Sequence, residues 1–99
     1  MSQRTYENET EVVLYESEIT SKAQLHAIMK EACSFPSYYG GNLGALNDCL
    51  SEYSRPLSIV LVLSKPHEDP ANYWRKFATV CMRQSFENPN ISFRITHDD

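Results

Sequence analysis

Cys33, Cys49, Cys81, His26 and His67 are the residue types from which a thiolate–imidazole nucleophile could be built. Such a pair needs a cysteine held as thiolate beside a basic imidazole. The spacing does not favour it. Cys49 and Cys81 fall on or beside apolar helical stripes, where a thiol is an inert core group. His26 follows Leu25 in an amphipathic stretch and is expected at the surface or its boundary, and His97 stands near the C-terminus. No GxSxG, P-loop, HExxH or GxGxxG occurs. Three separated cysteines without a CxxC pair argue against a disulfide framework and against a zinc site, so they read as reduced and mostly buried. The sequence thus predicts no catalytic residue, no metal and no cofactor.

A different chemistry is suggested by residues 34–50, "SFPSYYGGNLGALNDCL". Tyr38, Tyr39, Gly40 and Gly41 stand before a helix on which Gly44, Asp48 and Glu52 recur at i, i+4, i+8. Asn47 and Ser51 lie beside them, opposite a stripe of Leu43, Leu46 and Leu50, so this face should look outward. Between Lys30 and Arg55 the acids are Glu31, Asp48 and Glu52, with no Lys or Arg among them. Tyr38, Tyr39 and Tyr53 border the region. Exposed tyrosines around an uncompensated carboxylate form a protein-recognition patch. On its own physics the stretch has a plainer reading: a solvated helix acid, tyrosines packed partly into the core, and glycines as turn residues before a cap.

The elements that would position this patch follow from periodicity. Residues 1–10 are polar and read as a loose arm. "EVVLY" at 11–15 is a β-rich run. Ser21 and Gln24 have capping-box spacing, and Leu25, Ile28, Met29 and Ala32 mark a helix over about residues 21–33. Pro36 closes it. Asn42 is a suitable N-cap for a second helix, about 43–53, and "SRP" at 54–56 breaks that one. "LSIVLVL" at 57–63 is apolar almost throughout, as a strand covered on both faces would be. Asp69-Pro70 should open a helix of about 70–86, with Trp74, Phe77, Ala78 and Cys81 on one stripe, and Asn88-Pro89 should stop it. Ile91, Phe93 and Ile95 alternate with Ser92, Arg94 and Thr96 as a last strand. The expected fold is α/β: a small three-layer-like domain over residues 1–99, with a short three-stranded parallel sheet and packed helices in the order β-α-α-β-α-β.

The bulk numbers bound the partner. The chain has 99 residues and a net charge of −4. That balance argues against direct binding to nucleic acid or to an anionic membrane, both of which call for excess Lys and Arg. The start, "MSQRTYENETE", has no apolar leader core, and the longest apolar run is too short to span a bilayer, so a cytoplasmic location is expected.

The register of Pro36, Tyr38-Tyr39-Gly40, Asn42-Leu43, Ala45-Leu46 and Asp48-Cys49-Leu50 resembles the barstar family of intracellular ribonuclease inhibitors. The matching stretch, 21–53, is about a third of the chain. The resemblance implies a protein that performs no reaction itself and caps a nuclease active site, binding one-to-one. In it the loop and the start of the second helix enter the cleft, and Asp48 takes the place of the substrate phosphate. Taken with the outward face read above, it gives an expected partner-binding set of Tyr38, Tyr39, Gly40, Asn42, Gly44, Asn47, Asp48, Ser51, Glu52 and Tyr53, facing a basic ribonuclease or toxin domain. Tyr38, Asn42 and Asp48 match the family pattern. Gly44 stands where the family has a second aspartate, Asn47 where it has a tryptophan, and Arg83 near a further acidic contact. The alternative reading keeps the fold and the acidic interaction surface but gives it a partner other than a nuclease.

Overall fold

The computed structural model describes residues 9–64 and 72–98. The chain runs β1 (Thr10–Tyr15), a single 3-10 turn (Glu16–Glu18), α1 (Lys22–Cys33), α2 (Leu43–Ser51), β2 (Leu57–Ser64), α3 (Tyr73–Glu87) and β3 (Ile91–Asp98). Thr10, expected in the arm, already pairs as the first residue of β1, and residues 1–8 lie outside the described residues.

The helix starts follow local chemistry. Ser21 Oγ accepts from the Gln24 amide at 3.1 Å, and so caps α1. The return arm of the capping box is displaced by one residue, because Gln24 Oε1 takes the Thr20 amide at 2.9 Å. Ser34 ends α1 in a left-handed conformation, φ 60°, which turns the Phe35 amide back onto the Lys30 carbonyl. The expected opening of α3 at Asp69-Pro70 lies outside the described residues. The helix begins at Tyr73 after Asn72, whose side chain makes no cap bond.

α2 stops two residues short of its expected end, and the cause is distant in sequence. Buried Asn88, just past α3, donates through Nδ2 to the Leu50 carbonyl at 2.8 Å and the Tyr53 carbonyl at 2.9 Å. These bonds satisfy carbonyls that a helix end leaves without an intrahelical partner, and so hold the chain where it leaves α2.

The sheet is wholly parallel, in the order β1-β2-β3. Register sets Val12, Ile59 and Phe93 side by side, and Leu14, Leu61 and Ile95 likewise. Val12, Leu14, Leu57, Ile59, Leu61 and Ile91 form one core cluster with Leu25, Met29 and Cys33 of α1, Leu46 and Leu50 of α2, and Phe77, Val80 and Cys81 of α3. The described residues therefore show a helical layer meeting one sheet face. On the other face Val60 and Val62 are also buried, flanked in register by Val13 and Arg94, and by Tyr15 and Thr96. β2 is thus buried on both sides, as its nearly unbroken apolar run predicts. No helix among the described residues is long and apolar enough to cross a membrane.

Candidate functional site

The α1–α2 loop is built by three local devices. The Tyr39 amide closes on the Pro36 carbonyl at 2.9 Å, a turn at whose tip Tyr38 stands 84% exposed. Gly41 adopts φ +70°, a conformation that disfavours any residue with a Cβ. Asn42 then caps α2, its Oδ1 accepting the Ala45 amide at 2.8 Å. A Cβ on Gly44 would meet Asn42 Oδ1 at 3.4 Å, an ordinary contact, so the fold itself does not demand glycine there.

Tyr38, Asp48, Cys49, Glu52, Tyr53 and Arg55 line one open cleft of about 440 Å³ between the loop and α2. Asp48 and Glu52 are exposed, as is Ser51, whose hydroxyl donates to the Asp48 carbonyl at 2.8 Å. Both acids sit at the C-terminal end of α2, where the helix dipole is already negative, and no basic residue occupies its last turn. Among the described lining residues Arg55 is the only cation. It was expected beyond the patch, yet it reaches the rim. Its Nη2 donates to the Tyr53 hydroxyl at 3.0 Å, and its guanidinium lies 5.2 Å from the Tyr53 ring centroid.

Three residues of the expected set are tied into the body of the fold, Tyr53 while still lining the cleft. Tyr39 is half-buried, packs on Phe35 with ring centroids 4.9 Å apart, and bonds to His26. Tyr53 is half-buried too, its hydroxyl donating to the Cys33 carbonyl at 3.0 Å. Asn47 turns into the α2–α3 seam, where its Oδ1 accepts from Gln84 Nε2 at 2.9 Å. Helical spacing placed Asn47 on the outward face, but it stands at that face's edge, within reach of α3. Gly40, Asn42 and Gly44 are exposed on the loop and the first turn of α2, outside the described lining of the cleft.

His26 corrects the expectation most. It is not a surface or boundary residue but only 3% exposed. Its partners come from residues 13 and 47 positions away, which no local pattern announces. Burial holds its pKa below the usual histidine range. The thiols are shielded as expected of core groups. Burial pushes Cys33 up to about 12, despite the nearby Arg55, and pushes Cys81 up as well. Cys49, half-buried, is raised by its burial and then by the Glu52 and Asp48 charges. Each shift works against a reactive thiolate. No cluster of three or more metal-ligating side chains occurs among the described residues.

No curated protein matches the chain. A family model described as Barstar (barnase inhibitor) matches residues 10–98, from the first residue of β1 to the last of β3. With the three strands and three helices of the described residues inside that match, and the loop-to-α2 signature within it, the chain belongs to the barstar family.

Proposed function

We propose that this protein is a stoichiometric inhibitor, an immunity protein or antitoxin of the cytoplasm, that caps the active site of a ribonuclease toxin one-to-one and without a cofactor. The Asp48 carboxylate takes the place of the substrate phosphate. One observation carries the reading: Asp48 and Glu52 are exposed together at the negative end of α2, in a cleft whose only described cation is engaged with Tyr53. A carboxylate placed there gains from a cation brought by a partner, through charge-assisted hydrogen bonds. Tyr38 supplies rigid contact area beside it. Asn42, Gly40 and Gly44 shape the approach, and the family's description as a barnase inhibitor supports a nuclease as the partner.

The interface is a mixed one. Asn47 is tied to Gln84, and Arg83 on α3 brings positive charge to the residue beside that seam. The partner's basic cleft is therefore smaller than one matched to a fully acidic face. Affinity capture from the host lysate, with wild-type and Asp48→Ala baits, tests the reading. The expected catch of the wild type is a basic protein whose RNA cleavage falls to zero at one equivalent. A captured partner without nuclease activity would instead establish the non-nuclease interaction module.

A further inference from the structure

The His26 ring carries a polar partner on each nitrogen. Nδ1 lies 2.5 Å from the Tyr39 hydroxyl and Nε2 lies 2.6 Å from the Tyr73 hydroxyl. Tyr39 belongs to the loop of the candidate site, and Tyr73 is the first residue of α3. A neutral imidazole has one N–H and one lone pair, so one tyrosine donates to the ring and the other accepts from it. Each bond fixes the direction of the other. Deleting either hydroxyl leaves a buried ring nitrogen unpaired. The loop also passes close behind the ring's own backbone, since a Cβ on Gly41 would stand 3.8 Å from His26 Cβ. One side chain on α1 thus holds both the inhibitory loop and the N-terminal turn of α3. A plain core residue would fill the same space without linking them.

We infer that His26 is a positioning residue for the inhibitory loop, tied through Tyr73 to the first turn of α3, so that a hydroxyl on α3 sets the order of the surface that meets the partner. The functional half of this inference rests on the inhibitor reading above. A loosened loop occupies its binding-competent form for only a fraction of the time, and apparent affinity falls by that fraction. The complex, once formed, is the same. Association therefore slows while dissociation does not.

The test compares Tyr73→Phe with Tyr39→Phe, and with Ile91→Val as a core truncation on β3 away from the loop. Hydrogen exchange of the free protein is read first. In both tyrosine variants the Tyr39 amide should exchange about tenfold faster, while β2 amides move no more than they do in Ile91→Val. A rise shared evenly by loop and sheet would overturn the inference, because it reports only lost global stability. Stopped-flow association with the captured ribonuclease follows. Tyr73→Phe should slow it by about three- to tenfold with dissociation unchanged. An unaltered association rate on a loosened loop would overturn the positioning role. If the wild type binds no ribonuclease, the inhibitor reading fails, and the exchange data still decide whether the clamp orders the loop.

Discussion

Around Asp48 the surface is a shallow acidic cleft, whereas along α3 it is apolar and basic. A cavity of about 880 Å³ runs between α3 and the strand residues Leu61, Leu63 and Ile95, twice the size of the α2 cleft. Trp74, Ala78, Met82 and Phe86 line it at four-residue spacing, with Arg75 and Arg83 alongside, and Phe86 is 82% exposed. Size and apolar lining alone would choose this groove as the site. Charge chooses the other. A phosphate-like group must be an exposed carboxylate, and the acids of α2 are exposed in a cleft whose only described cation bonds Tyr53, while the described lining of the α3 groove contains no acid. The groove marks where one helix face is left uncovered. The cleft marks where the chain tolerates unfavourable charge at a helix end, which structure alone gives no reason to keep.

This contrast can be broken most forcefully at Asp48. Asp48→Ala should leave thermal unfolding unchanged and weaken partner binding by about 2–5 kcal/mol, because the partner's buried cation is left unpaired. Calorimetric titration measures it, and a loss below about 0.5 kcal/mol would reduce Asp48 to a rim contact. Gly44→Asp sharpens the same face. The backbone accommodates the side chain, and an acid in the first turn is favoured by the helix dipole, so the fold should hold or gain slightly. Binding should nevertheless fall by about tenfold, or ~1.4 kcal/mol, if the partner surface closes on this bare stretch of helix. Tighter binding would mean that the partner offers a cation there, as one matched to the family's second aspartate does.

A smaller effect is expected from pH through His26. Its folded pKa lies below the unfolded value of 6.5, so the unfolded chain binds the proton more readily. The stability this group contributes is present above 6.5 and drains as pH falls toward the folded value. Urea unfolding at pH 7.5 and 5.5 should show that decline, and His26→Phe should flatten it. An equal slope in the variant would assign the decline to other groups. The smallest effect is expected on the α3 face. Phe86→Ser should change both unfolding and ribonuclease binding by less than about 0.5 kcal/mol, as exposed positions away from an interface do. A loss of inhibition there would move the interface onto the groove and undo the comparison.

Much of the fold was legible because it is written locally. The period of two in Ile91, Phe93 and Ile95, the cap bonds of Ser21 and Asn42, and the apolar run of β2 all appear where periodicity and capping chemistry place them. Strand order was not legible, since three parallel strands with helical connections permit more than one arrangement. At the candidate site, the exposure of Tyr38 and Asp48 was readable from spacing, but the partial burial of adjacent Tyr39 was not. Two neighbours in a tight turn point opposite ways, and what captures Tyr39 is a histidine on another helix. Asn47 and the early end of α2 escaped for the same reason, because Gln84 and Asn88 reach them from the far end of α3.

The central claim, that Asp48 occupies the position of the substrate phosphate, is tested most directly by competition. A titration of nucleoside 3′-monophosphates against the preformed ribonuclease complex would be followed by displacement of the labelled inhibitor. The nucleotide should displace the wild-type chain competitively, and inorganic phosphate should do so more weakly at the same locus. Simultaneous binding, with nucleotide and inhibitor held together on one ribonuclease, would contradict the claim and place Asp48 outside the phosphate site.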